Sequence, residues 1–336
     1  MAIATPRRNQ KTATRTTVLT IAALLAVLAV LTRLLDPERV AWIQTFFVIF
    51  GSLLIQALPF VLIGALASAA IEVFVPIGTL ERLTELPRWM QLPAAGLAGI
   101  AFPICECGSV PVARRLASKG LVPSAAVTFM LAAPVLNPVV IASTFVAYRG
   151  RSALWTMVIG RFALGLLVAI AVGWVMGGRS KEELLRPRAD EDAVEPIELG
   201  ALEPRWQSFF VHVGNDFLFM GRFLLLGATL AGLVQTFLPA SIVDHVASLP
   251  IVSIVAMIGL AFVLSLCSES DAFIAASFTS FGASAQLAFL VFGPMVDFKL
   301  AALYMGTFRR GFFRTLLIAV FAATLVGAMW ISVISG

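Results

Sequence analysis

The chain repeats itself, and that repeat limits its fold more than any other feature. Moving Phe47, Val48, Gly51, Phe60, Leu62, Gly64, Ala65, Phe74 and Pro76 forward by 163 positions gives Phe210, Val211, Gly214, Phe223, Leu225, Gly227, Ala228, Phe237 and Pro239. Cys105 and Gly120 recur 162 positions later as Cys267 and Gly282, and Pro134 and Asn137 recur 160 positions later as Pro294 and Asp297. Small deletions separate the blocks without changing their order. Two halves with the same succession of elements are expected: a first repeat over 40–177 and a second over 209–336. A charged cytoplasmic linker over 178–208 joins them, and a basic tail with one extra helix over 1–39 lies outside the duplication.

Composition decides the solvent. Of 336 residues, 60% are hydrophobic and 13% charged, far from the balance of a soluble domain. The apolar runs Val40–Val75, Val122–Ala147, Ser152–Met176, Phe209–Leu238, Ile251–Phe281, Ser284–Met305 and Phe312–Ile334 approach or exceed the roughly 20 residues a membrane helix needs. An all-α polytopic membrane protein is the fold class. Arg7, Arg8, Lys11 and Arg15 precede the apolar run Val18–Leu31, but no small-residue cleavage pattern follows it. An uncleaved first helix with a cytoplasmic N-terminus is therefore expected. The excess of basic over acidic residues, 24 against 19, fits basic cytoplasmic loops and points to no nucleic-acid partner. The absence of a Gly-Lys-Ser/Thr phosphate loop argues against ATP hydrolysis by this chain. No cofactor is expected.

Two of the apolar runs stop for polar residues. Gly99–Asn137 breaks at Pro103, presents Cys105-Glu106-Cys107-Gly108 and resumes at Pro111; Gly259–Asp297 answers with Cys267-Ser268-Glu269-Ser270-Asp271. If both stretches crossed the membrane, Lys and Arg would divide almost evenly, eleven inside and ten outside. If each is a hairpin entering and leaving on one side, seventeen lie inside, four lie outside (Arg33, Arg39, Arg149 and Arg151), and Arg161, Arg222 and Lys299 fall within spans. The positive-inside bias selects the hairpins. The second repeat then starts on the opposite side from the first, giving an inverted-topology repeat with two re-entrant or broken helical hairpins. Chains of this design bind solute near the midplane, where the helices are discontinuous. Both tips should meet there, accompanied by breaks at Pro134–Pro138 and around Pro294.

The run PICECGSVPVARRLASKGLVPSAAVTFMLAAPVLNPVVIAST resembles the signature of the ArsP-type permeases, a bacterial family of predicted permeases in which some members export trivalent organoarsenicals. The resemblance extends from about Val40 to the C-terminus. It implies a multi-pass protein of the bacterial inner membrane that moves a small solute outward. Cys105 and Cys107 correspond to the family's cysteine pair, and Pro134, Asn137 and Pro138 to its second motif. A homo-oligomer is compatible with the resemblance.

Thiolates are soft ligands suited to soft centres, including trivalent arsenic. In an extended Cys-Glu-Cys both sulfurs would share one face, and Cys267 could add a third. Cys105, Cys107, Cys267 and Asn137 are thus the candidate solute contacts. The alternative for the cysteines is packing at a tight tip, and for Asn137 it is satisfaction of broken backbone. Carboxylates at membrane depth are functional candidates by default. Glu106, Glu269, Asp271 and Asp297, with Lys299 as a partner for Asp297, are the candidate ion-coupling groups; the alternative is structural pairing. Arg161 and Arg222 are expected to neutralise buried acids or snorkel, Glu72 and Gln235 to meet the interface, and His212 and His245 to have no metal role. Pro103, Gly108, Pro111, Pro134, Pro138 and Pro294 are the expected structural breaks. Secondary transport of a small soft or thiol-reactive solute leads over a membrane thiol oxidoreductase using Cys105 and Cys107, a permease for an unrelated solute, and a membrane scaffold.

Overall fold

The computed structural model describes residues 41–76, 87–101, 104–177, 205–237 and 250–335. Pro103, His245, the expected N-terminal helix and most of the expected linker lie outside the described residues. Every regular element among them is helical. The chain divides into units 1–48 and 49–336. Of the first unit, only the opening turns of one helix are described; there the rings of Phe46 and Phe47 meet edge to face, 5.5 Å apart.

The helices are α1 (Ala41–Phe74), α2 (Arg88–Ala98), α3 (Glu106–Ser118), α4 (Pro123–Leu136), α5 (Pro138–Ala147) and α6 (Leu154–Met176), followed by α7 (Arg205–Phe237), α8 (Pro250–Leu264), α9 (Asp271–Ser277), α10 (Ala283–Phe292), α11 (Phe298–Thr307) and α12 (Arg310–Ser335). The same succession occurs twice: a long helix, a shorter one, a short tip helix, a broken pair and a closing helix. Helix α7 begins at Arg205, slightly before the end expected for the linker. Among the described residues, five helical stretches are long and apolar enough to cross a membrane: Trp42–Phe74, Pro123–Ala147, Leu154–Met176, Trp206–Phe237 and Gly311–Val333.

Side chains are sorted inside out relative to a soluble protein. Ile55 is 73% exposed, whereas Arg161 is 0% exposed. A surface that presents isoleucine and hides arginine has lipid as its solvent. Helices α4 and α10, equivalent in the repeat, are almost wholly buried. Helix α4 packs on α2 and α6, as α10 packs on α8 and α12, and α6 lies against α12. The tip helices cross between halves: α3 packs on α11, and α9 packs on α5.

The breaks have local causes. Asn137 stands before Pro138, a position disfavouring helical backbone; its φ of −52° and ψ of 128° end α4, and Pro138 opens α5. In the second half, residues 293–297, including Pro294, form the turn and link between α10 and α11. Ser265 ends α8 in the left-handed region with φ +47°, a common way to terminate a helix. Three expected breaks are corrected. Pro134 lies in the last turn of α4, and Gly108 and Pro111 lie inside α3. The first tip breaks earlier, at Cys105, whose backbone is extended with ψ 176°. Pro111 removes the N–H that the Cys107 carbonyl would have accepted and sets its ring against that carbonyl.

Gly108 serves close approach instead. A Cβ on Gly64 would fall onto Gly108 Cα, and one on Gly108 would stand 2.9 Å from Gly64 Cα, so α1 and α3 touch backbone to backbone. Gly64→Val should destabilise the protein by about 3 kcal/mol, the upper end for overpacking. Gly51, whose added Cβ meets nothing within 4 Å, is the control: Gly51→Ala should be neutral or stabilising by up to ~1 kcal/mol. Thermal unfolding of both variants in lipid nanodiscs checks the contrast.

Candidate functional site

The two tips meet through equivalent residues. Ser268, which is Glu106 displaced by 162 positions, donates its hydroxyl to Glu106 Oε2 at 3.0 Å. A hydrogen bond between repeat equivalents places the two hairpin tips face to face. Around it, Lys299 Nζ lies 3.4 Å from Glu106 Oε1, 3.6 Å from Asp297 Oδ2 and 4.0 Å from Cys267 Sγ. Ser268 Oγ is also 3.5 Å from Glu269 Oε2, while Glu269 Oε1 has no hydrogen-bond partner.

All three cysteines are free and buried. Cys105 stands just before α3 without a side-chain cap bond, and Glu106 and Cys107 occupy the first turn. The expected extended Cys-Glu-Cys is therefore corrected. Residues in a helical turn do not alternate two by two as strand residues do, yet the Cys105 and Cys107 side chains are hydrogen-bonded to each other, so the tip brings two sulfurs together without an extended backbone.

Asn137 and Asp297 perform one task at equivalent positions. Asn137 Oδ1 accepts from Val139 N at 2.9 Å, and Asp297 Oδ1 accepts from Leu300 N at 2.7 Å. Each supplies an oxygen to an orphan N–H at the start of the helix after the break. The second junction is held further by Phe298 N donating to Ser265 Oγ at 2.9 Å.

Asp271 is engaged by Arg161. The guanidinium donates to both carboxylate oxygens, at 2.8 and 2.7 Å, to Thr144 Oγ1 at 2.9 Å and to the Ser268 carbonyl at 3.3 Å. This buried fork ties α6 and α5 to the second tip. Arg222 lies over Phe219 and Phe223, 4.6 and 5.0 Å from their ring centroids.

Two arginines close reciprocal junctions. Arg114 of α3 donates to the Thr307 carbonyl at the end of α11, at 3.4 Å. Arg151, just past α5, donates to the Ala276 carbonyl near the end of α9, at 2.6 Å. Position 276 is position 114 displaced by 162, so one repeat-related junction is closed twice with its donor and acceptor exchanged. Both use a cation at a helix C-terminus, where the backbone dipole favours it.

A second polar cluster was not expected. Ser68 donates to Asp216 Oδ2 at 2.6 Å; Arg115 reaches Glu72 at 3.3 Å and Asp216 at 3.6 Å; Lys119 reaches Glu72 Oε1 at 3.6 Å and the Glu72 carbonyl at 2.8 Å. Glu72, two residues from the end of α1 and with its side chain 25% exposed, therefore belongs to an ion-pair network joining α1, α3 and α7. Its repeat equivalent, Gln235, donates to the Leu264 carbonyl at 2.7 Å, holding the end of α8. Asp216 was legible as a carboxylate in an apolar run, but its counterpart at 53 is leucine and gives no repeat signal. Ser268 was legible by applying the offset to Glu106.

Among the described residues, no group of three or more His, Cys, Asp or Glu side chains is arranged to hold a metal ion. A buried, polar, largely ion-paired centre, built where broken helices from two halves meet inside an apolar bundle, fits a multi-pass membrane protein. The chain belongs to the ArsP-type family described as "predicted permease", whose family model matches residues 42–333. It is 38% identical over 283 residues to the UPF0718 protein YcgR of Bacillus subtilis (strain 168), covering 84% of this chain and 95% of that one. It is 33% identical over 270 residues to a putative two-component membrane permease complex subunit of Streptococcus mutans serotype c (strain ATCC 700610 / UA159), covering 79% and 87%. No solved structure matches the chain.

Proposed function

We propose that the chain is a secondary transporter with an inverted-topology repeat, exporting a small soft or thiol-reactive solute such as a trivalent organoarsenical across the bacterial inner membrane. The observation that carries this reading is the Ser268–Glu106 contact between repeat-equivalent tips, with all three cysteines buried in the tip segments. Inversion is supported by the distribution of basic residues, which also puts the N-terminus in the cytoplasm. Cys105, Cys107 and Cys267 contact the solute, Asn137 shapes the break beside it, and Glu106, Glu269, Asp271, Asp297 and Lys299 supply the coupling charges. All three cysteines lie in the tip segments, so none in a loop could relay electrons to a partner protein, which favours solute contact over thiol exchange. The Arg114–Thr307 junction closes the path toward the cytoplasm, and Arg151–Ala276 closes it toward the outside. The Streptococcus relative is called a subunit of a two-component complex; by analogy, this chain works with a second membrane protein or with further copies of itself.

The test is survival and arsenic accumulation in an arsenic-sensitive bacterial host challenged with arsenite or a methylated trivalent arsenical. The wild type should protect against the methylated compound and lower its accumulation, and Cys105→Ser with Cys107→Ser should abolish both effects. Equal survival of wild type and empty vector would remove the arsenical reading and leave a permease for another small solute.

A further inference from the structure

The two halves cap their post-break helices with different residues. Asn137 caps α5 with an amide oxygen, and Asp297 caps α11 with a carboxyl oxygen. A neutral side chain thus suffices for the cap, and the acidity at 297 is surplus to it. The other oxygen, Asp297 Oδ2, has no hydrogen-bond partner and faces Lys299 Nζ at 3.6 Å. The same ammonium stands 3.4 Å from Glu106 Oε1. Glu106, Asp297 and Lys299 are 1%, 0% and 2% exposed: two carboxylates share one cation, sealed from solvent, with a formal charge of −1.

An uncompensated charge at such a site is costly, and a buried acid ordinarily escapes the cost by taking a proton. The two acids are not equivalent. Glu106 accepts from both Ser268 and Lys299, as an ionised carboxylate does, whereas Asp297 Oδ2 accepts from nothing. Asp271 is matched by Arg161. Glu269 is a third acid at the tips, 3.5 Å from Ser268 Oγ with its Oε1 buried and unpartnered, and its charge adds to the demand for a proton beside Glu106 and Lys299. Tyr304, also near Asp297, spends its hydroxyl on the Met295 carbonyl at 2.9 Å. The thiol of Cys267 reaches Asp297 only by way of Lys299. From α7 the neighbour is Gly227, where a Cβ would stand 2.6 Å from Lys299 Cα, so the backbone of residue 299 is held close while its side chain can choose between acids.

We propose that Asp297 carries one resident proton on Oδ2, and that losing it transfers the Lys299 ammonium from Glu106 to Asp297. The O–H bond of Asp297 breaks, the proton leaves to water admitted when the path opens, and Glu106 is left ionised and unpaired at the meeting point of the tips. This deepens the transport reading and rests on it for the use made of the proton, naming H⁺ as the coupling ion and Lys299 as the switch.

The test uses the full chain in lipid nanodiscs at neutral pH. The infrared spectrum of the wild type should contain a carboxylic-acid carbonyl band that shifts in D₂O, weakened in Asp297→Asn and retained in Glu106→Gln. Asp297→Asn, which replaces a neutral acid by a neutral cap, should melt within about 2 °C of the wild type, while Glu106→Gln, which strips Lys299 of its anion, should melt about 10 °C lower. The reverse order, equal effects, or a band unchanged in Asp297→Asn would overturn the proposal. So would sodium in place of choline raising the melting temperature of the wild type and not of Asp297→Asn, since the resident ion would then be sodium. No transported solute is needed, so failure here leaves the permease reading intact, and failure of the arsenical assay leaves these readouts unchanged.

Discussion

Arg161→Ala should cost about 3–5 kcal/mol, the loss expected when one partner of a buried ion pair is removed, and that is a large share of the roughly 5–15 kcal/mol by which folded proteins exceed their unfolded states. Arg161 is fully buried, and its guanidinium holds both oxygens of Asp271, the hydroxyl of Thr144 and the carbonyl of Ser268. Without it, the Asp271 carboxylate is left without its cation. Asp271→Asn strands the guanidinium instead and should be nearly as damaging. Replacing both residues by leucine removes both charges and should recover part of the loss, because a buried pair pays desolvation twice. Thermal unfolding of Arg161→Leu, Asp271→Leu and the double variant closes the cycle that gives the coupling energy. A loss below about 1 kcal/mol in Arg161→Ala would show that water, a proton or another cation serves Asp271 in its place and that the fork does not hold the second tip.

Arg151→Ala should make the tip cysteines reactive toward a membrane-impermeant thiol reagent added from outside, and Arg114→Ala should do so from the cytoplasmic side. The chain is its own reporter, since its three cysteines all lie in the tip segments. A hydrogen bond from a charged donor contributes about 1.5–3 kcal/mol, enough to shift an open–closed equilibrium by about tenfold or more. The Arg151 contact is shorter, 2.6 Å against 3.4 Å, so the outer side should show the larger gain. Right-side-out and inverted vesicles separate the two directions. Labelling that rises equally from both sides in either variant, or in neither, would mean that these arginines only cap helices.

Much of the architecture could be read in one dimension because duplication and lipid solvation both leave periodic marks. The pairing of Cys105 with Cys267 and of Asn137 with Asp297 anticipated which elements would correspond, and Asn137 and Asp297 do cap corresponding helices. The breaks were located to within a few residues. The error at Gly108 and Pro111 arose because Gly and Pro signal a discontinuity without saying which peptide carries it, and here the extended residue is Cys105. Glu72 lies near the end of its helix, as its position in the apolar run indicated, but its cations could not be read, because Lys119 and Arg115 lie 47 and 43 positions away in sequence.

By itself, the sequence determined that the chain is a duplicated, multi-pass helical protein of a permease family, that its helices break at polar tips, and that its cysteines are confined to those tips. These properties depend on composition, offset and local backbone preference, all of which are local or repeating. Only the tertiary structure decided which charges are partners. Ser68 meets Asp216 across 148 positions, Arg161 meets Asp271 across 110, and Lys299 meets Glu106 across 193. The reason is physical: inside lipid every buried charge must find a counter-charge or a proton, and which one it finds is set by the packing of helices that the linear chain keeps far apart.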